Sequence, residues 1–298
     1  MIDVQALKYS HTLYNILREV SANISYDVNI IGLDDPYSAM NNPFYINNNL
    51  YSKPFILYTE EINAFNNPNI INHKNYLGFV SHIKNTCSTI SEKYGFETYH
   101  LPLSSKEKKI NRLNESFESL LNTDRPINLV AWGSWQDHNN TNFINRGGNE
   151  IDILVNHLLN LGLNINLYIK TSQNLECFKN YPDKVKIINS YLLDDDLDNI
   201  FYNCDLFLLP SKQVHSVSLI YSMSFGIPCI VSNGWGFSEF CNEMNTINYL
   251  DMDKIVDTIR NRNKLFLLRK NTLNYFNINH NRENHINNFK KILDNLHK

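Results

Sequence analysis

The chain of 298 residues lacks any paired-cysteine pattern. Its five cysteines (Cys87, Cys177, Cys204, Cys229, Cys241) are odd in number, widely spaced, and include no Cys-x-x-Cys. That excludes a disulfide framework and a zinc site, and fits thiols buried as small hydrophobes in a reducing, cytoplasmic compartment. No stretch reaches the roughly 18 apolar residues of a spanning helix. No apolar run follows a basic start, so no secretory leader is expected. Basic residues are not in excess: 27 Lys and Arg face 30 Asp and Glu, for a net charge of −3. This argues against a strongly basic nucleic-acid binder. No short-period repeat is visible.

What is present is material for a core. Hydrophobic content is 43% and charged content 19%, which excludes a disordered chain. Roughly one residue in six is asparagine, far above ordinary usage. That excess fits the coding bias of an AT-rich genome and carries no mechanism.

Periodicity predicts a helix through Leu13, Ile16, Leu17 and Val20, then strands in "YDVNIIGL", "PFILYTEEI", "YLGFVSH" and "ETYHLPL". The helix "IKNTCSTISEKYG" lies between the last two. A polar, weakly helical segment follows, and a domain boundary is expected near Thr123. The second half alternates more clearly. Strands are expected at "INLVAW", "INLYIKT", "KVKIINSY", "DLFLLPS" and "PCIVSN". Helices are expected at "GGNEIDILVNHLLNLG", "DDDLDNIFYNC" and "SVSLIYSMSFG", and again from Glu239 onward. Strands separated by helices imply βαβ units and parallel sheets. The expected architecture is α/β, with two Rossmann-like domains over 1–123 and 124–298 and C-terminal helices that could pack back on the first.

The stretch "HSVSLIYSMSFGIPCIVSNGWGFSEF" condenses this logic. Leu219, Ile220 and Met223 give a helix its buried face, Gly226 suits the position after it, and Pro228 forbids continuation. Cys229 to Val231 is a short central strand. At its carboxyl end Gly234 and Gly236 let backbone approach a ligand. A helix entered at Ser216 to Ser218 offers N–H groups and a positive dipole end to an anion.

The ordered set "VKIINSYLLDDDLDNIFYNCDLFLLPS", "SLIYSMSFGIPCIVSN" and "GFSEF" resembles the donor-binding domain of glycosyltransferase family 4 and its GT-B relatives, over roughly Ile127 to Leu250. "NYLGFVSHIKNTCSTISEKYGFETYHLPL" resembles, more weakly, the end of the acceptor domain. The first lobe is short, and the family's early glycine-rich loop is not recognisable. The resemblance implies two lobes in the GT-B arrangement and a nucleotide sugar as co-substrate, its base and diphosphate on the second lobe. It implies sugar transfer, usually with retention, to a glycan, lipid or other hydroxyl. No metal is expected at the diphosphate.

Carried over residue by residue, "FINRGGNEIDIL" matches the family's basic diphosphate motif and puts Arg146, followed by Gly147, at the phosphates. The second basic position falls on Ser134, after Gly133. The family's paired glutamates fall on Gln213 and Tyr221, neither acidic. Gln213 could hydrogen-bond sugar hydroxyls and Tyr221 could reach a ribose. His215, between them, is a candidate for phosphate or sugar. Ser216, Val217 and Ser218 would offer their N–H groups to the diphosphate, and Tyr191 and Leu192 would seat the base. Lys170 either faces the donor or is solvated.

On the acceptor side the candidates are His11, Asp34, Asp35, Glu60 and Glu61, against readings as surface and turn residues. Asp194 to Asp196 suits a helix's first turn better than a metal site. The "KEKKINR" run (Lys106 to Arg112) reads as a solvated linker, with contact to anionic lipid or nucleic acid as the alternative. Trp132, Trp135 and Trp235 could stack on sugar or base, or pack in a core.

Two other readings stay open. Without the glutamates, the chain could be a catalytically silent domain that binds a nucleotide sugar or glycan, or supports a partner glycosyltransferase at a membrane. The acceptor could also be a modified DNA base, which the negative net charge disfavours.

Overall fold

The computed structural model describes residues 3–5, 26–32, 52–58, 72–133, 143–171, 175, 178, 180–189, 192 and 194–296. The chain divides into two compact units. One comprises Met1–Lys106 with Asn279–Lys298, the other Glu107–Ile278. Each holds a wholly parallel sheet, as the alternation of strands and helices implies. Among the described residues no helix is long and apolar enough to cross a membrane.

In the first unit the strands are β1 (Asp3–Gln5), β2 (Asn29–Gly32), β3 (Phe55–Tyr58), β4 (Tyr76–Ser81) and β5 (Thr98–His100), hydrogen-bonded in sequential order. β3 is buried throughout, as a strand covered on both faces must be. Helix α1 (Lys84–Tyr94) ends at Gly95, in the left-handed conformation at φ 72°. The expected helix through Leu13 and Val20 lies outside the described residues.

The last helix of the chain, α8 (Arg282–Leu296), completes this unit. Phe289 and Leu293 are buried, and a Leu296 methyl reaches so close to Gly78 that a Cβ there would lie 2.6 Å away. Two buried histidines anchor the helix and its approach. His280 donates from Nδ1 to the Leu103 carbonyl at 2.8 Å, and His285 from Nδ1 to the Pro102 carbonyl. Burial pushes both imidazoles down to about 4. The carbonyl contacts oppose that shift, and the neighbouring His82 adds to it. The unfolded chain therefore takes up protons below about pH 6.5 that the native state refuses until about pH 4. Stability should be intact above pH 6.5 and fall by roughly a few kcal/mol as pH drops from 6.5 to 4. Urea unfolding across that range checks this. Replacing both histidines by glutamine should flatten the slope, and an unchanged slope would exclude them as its source.

The second unit begins with α2 (Ile110–Leu120), whose Leu113, Phe117 and Leu120 are buried. Its sheet contains β6 (Ile127–Trp132), β7 (Ile165–Lys170), β8 (Val185–Ile188), β9 (Leu206–Leu209), β10 (Cys229–Val231) and β11 (Thr246–Asn248). The order is β11-β10-β9-β6-β7-β8. Helices α3 (Gly148–Asn160), α4 (Asp194–Tyr202) and α5 (Ser216–Met223) connect the strands, and α6 (Met252–Arg260) and α7 (Arg262–Asn279) follow. Alternation along β6 and β7 sends Ile127, Leu129, Ala131, Ile165, Leu167 and Ile169 into one core with Ile151, Leu154 and Leu158 of α3.

The expectation of helix from Glu239 onward is corrected. Phe237–Glu239 is a single 3-10 turn, and the edge strand β11 comes before helix resumes at Met252. Side chains hold the intervening loop. Asn242 N–H donates to Asn245 Oδ1 at 2.8 Å, Asn245 Nδ2 to the Phe240 carbonyl at 2.9 Å, and Thr246 Oγ1 to the Asn242 carbonyl at 2.8 Å. Such local bonds compete with the helical ladder. Ile247 then pairs with Ile230 and is buried.

Candidate functional site

The second sheet reverses direction between β6 and β9. From β6 the chain steps outward through β7 and β8, and from β9 it steps the other way through β10 and β11. Ligands of open parallel sheets bind at such a point, outside the carboxyl ends of the strands. The first sheet, in sequential order, has no such reversal among its described strands.

Two loops meet over this point. One follows β6. Gly133 N–H donates to the Lys170 carbonyl at 2.9 Å, and the Phe143 ring packs against Gly133. Arg146 closes a 3-10 turn, Ile144–Arg146, and is only 7% exposed. Gly147 next to it has φ 79°, and a Cβ there would lie 2.6 Å from the Pro210 carbonyl oxygen. Only glycine meets both demands, so this residue seats the arginine turn directly on the end of β9.

The other loop follows β9 and enters α5. His215 stands at the helix N-cap, and its Nε2 lies 3.1 Å from the Asn145 carbonyl. A carbonyl only accepts, so Nε2 carries the proton. This bond ties the arginine turn to the start of α5. Ser216 and Ser218 are buried, Val217 is half-buried, and Ser218 Oγ donates to the His215 carbonyl at 2.9 Å. The N–H groups of this first turn have no intrahelical acceptor. A buried guanidinium and a helix N-terminus thus share one small region at the sheet's carboxyl edge.

The opposite face carries Trp132 and its register partner Lys170, both half-buried. Burial lowers the Lys170 ammonium from its ordinary value. The Trp132 ring lies 5.2 Å from the Tyr221 ring and 5.9 Å from that of Phe201. The Tyr221 hydroxyl donates to Asp198 of α4. The same carboxylate oxygen receives Lys108 Nζ at 2.9 Å, and this ammonium sits 4.2 Å from the Tyr221 ring centroid and 4.4 Å from that of Phe225. Reading Lys108 as part of a solvated linker is corrected: its side chain is 2% exposed, drawn in by one carboxylate and two ring faces.

Gln213 is exposed and forms a parallel bridge with Trp235. Leu192 is half-buried, and the acidic run opens α4 at Asp194. Among the described residues, no three His, Cys, Asp or Glu side chains are placed to hold a metal ion. His11, Asp34, Asp35, Glu60, Glu61, Ser134, Trp135 and Tyr191 lie outside the described residues. Sequence reasoning missed Asp198 and Lys108, which are ninety positions apart with no shared motif. It also missed the pairing of Gln213 with Trp235, whose one sequence signal is the glycine on each side of the tryptophan.

The two parallel sheets, the second with its reversal between β6 and β9, belong to the GT-B fold of glycosyltransferases, with two Rossmann-like domains. Among solved structures the chain is similar to WaaG, a glycosyltransferase involved in lipopolysaccharide biosynthesis (TM-score 0.63, 11% identity, 93% of this chain and 95% of that one). It is similar also to a glycosyltransferase from Rickettsia africae (TM-score 0.62, 12% identity, 100% and 98%), and to Anabaena HepE in complex with UDP and glucose (TM-score 0.60, 10% identity, 94% and 80%). No family model matches the chain, and no curated protein does.

Proposed function

We propose that the chain is a glycosyltransferase that moves a sugar from a nucleotide-diphosphate donor to a hydroxyl of a glycan or lipid acceptor. One observation carries the reading: the His215–Asn145 contact joins the buried Arg146 turn to the N-terminus of α5, at the switch point of the second sheet. The solved structures of the same fold, one of them holding UDP and glucose, support it.

In this mechanism the bond from the anomeric carbon to the terminal phosphate oxygen breaks, the acceptor oxygen forms a new bond to that carbon, and the acceptor's proton passes to the departing phosphate oxygen. Negative charge grows on the departing diphosphate. Arg146 and the N–H groups of residues 216 to 218 stabilise it, and the burial of Arg146, Ser216 and Ser218 strengthens their contacts. Lys170 adds positive charge from the neighbouring strand end. No metal is required, and the transfer retains anomeric configuration. Acceptor recognition is assigned to the first unit, with the protein at work in the cytoplasm.

A thermal-shift panel tests this, using UDP, GDP, ADP, CMP and dTDP with their common sugar conjugates. A ligand at ~100 times its Kd stabilises the folded state by about 2.7 kcal/mol. One nucleotide should raise the melting midpoint selectively, and Arg146→Ala should diminish the shift without removing it. No shift from any nucleotide would reject the proposal.

One observation favours a second reading. The Tyr221 hydroxyl, at a position where the resemblance puts a glutamate, is engaged by Asp198. A silent domain would bind nucleotide sugar yet release no nucleoside diphosphate from it, and the purified protein discriminates the two.

A further inference from the structure

Trp235 is a large apolar side chain held in the open. It is 38% exposed, yet its backbone N–H and carbonyl are both hydrogen-bonded. Trp235 N–H donates to the Lys212 carbonyl at 3.0 Å, and Val214 N–H donates to the Trp235 carbonyl at 2.8 Å. The glycines on both sides make that approach possible. A Cβ on Gly234 would lie 2.3 Å from the Lys212 carbonyl oxygen. A Cβ on Gly236, at φ 82°, would lie 2.5 Å from Val214 Cγ1. The turn is built to press against the 212–214 segment while leaving the indole outside.

The bridge partner of Trp235 is Gln213, which is also exposed, whereas Val214 next to it is buried. Partners across a parallel bridge present their side chains to the same face. An amide and an indole therefore stand side by side. Gln213 is three residues before Ser216, which begins α5. Three residues span at most about 10 Å, and bridged strands lie about 4.8 Å apart. A ring attached to a diphosphate at the start of α5 is thus within reach of both side chains. One offers donors and an acceptor to hydroxyl groups. The other offers a flat apolar face to the C–H side of a ring.

We propose that Trp235 is a sugar platform, determining specificity: it stacks on the pyranose of the nucleotide-sugar donor while Gln213 reads that ring's hydroxyls. This rests on the donor-site reading above and extends it from the nucleotide to the transferred sugar. The nucleoside diphosphate alone does not reach the platform.

The test compares dissociation constants for UDP and UDP-glucose, then for the GDP, ADP and dTDP pairs, on wild type, Trp235→Ala and Trp235→Phe. The alanine variant should bind the sugar conjugate about tenfold more weakly, about 1.4 kcal/mol, and the bare diphosphate unchanged. Phenylalanine should recover most of the loss. The melting midpoint without ligand should stay near that of wild type, since the turn is held by backbone bonds. Equal weakening of diphosphate and conjugate would overturn the proposal, as would unchanged binding of the conjugate. A wild type that binds neither member of any pair would reject the donor site itself, and the platform with it.

Discussion

Arg146→Ala should lower kcat by roughly 10²–10³, the scale for losing one donor that stabilises developing negative charge. The readout is nucleoside diphosphate released at saturating donor, which needs no knowledge of the acceptor. The guanidinium is 7% exposed, seated through Gly147 on the end of β9, and so is fixed before substrate arrives. A fixed charge in a water-poor site gains most when the charge opposite it grows, which happens as the sugar departs. The loss should therefore fall more on kcat than on donor affinity. Arg146→Lys keeps the charge but not the two-pronged fork, and should land between wild type and alanine. Turnover near wild type in the alanine variant, with its melting midpoint unchanged, would remove Arg146 from the chemistry.

The second large effect concerns folding. Asp205→Asn should destabilise the second unit by about 3–5 kcal/mol, the cost of breaking a buried ion pair by removing one partner. Asp205 sits just before β9, almost wholly buried. It receives Arg125 through two bonds of 2.9 and 2.7 Å, Arg269 at 3.2 Å and the Asn128 N–H at 2.9 Å. Arg269 has no exposed surface. Its other donors reach the Gly226 carbonyl at 3.3 Å, the Phe225 carbonyl at 3.3 Å and Ser116 Oγ at 3.0 Å. Asparagine keeps the shape but leaves two guanidinium groups facing a neutral amide. Urea midpoints measure the effect. Asp257→Asn is the control, because its pair with Lys264 is exposed on both sides and should contribute under about 1 kcal/mol. If both variants unfold alike, the buried network is not an anchor.

Much of the second unit was legible in the sequence, for local reasons. Gly226 and Pro228 punctuate α5 and β10, and the apolar runs at Leu206–Leu209 and Cys229–Val231 are short enough for buried strands. Arg146 and Gly147 could be singled out because they sit in a motif a few residues long, and His215 because it lies between the two positions where the resemblance puts glutamates. What stayed hidden depends on distant partners. Lys108 looks like one charge in a basic run, until Asp198, Tyr221 and Phe225 close around it. Asp205 draws its partners from 80 and 64 positions away. β11 is masked by its polar Thr246 and Asn248, because a three-residue edge strand needs only Ile247 to be apolar.

The first unit is assembled from both ends of the chain. α8 supplies Phe289, Leu293 and His285 to its core, but the second unit intervenes as one unbroken stretch from Glu107 to Ile278. During synthesis the order of completion is thus reversed with respect to the order of emergence. The residues that appear first must keep an apolar face uncovered while 172 others follow, counted from Glu107 to Ile278. At about 5–20 residues per second that interval is on the order of 10–30 s. The second unit can close in that time without help from either end. The first is the part of the nascent chain with most to gain from a chaperone, and a ribosome stalled before Asn279 would leave it unfinished beside a folded neighbour.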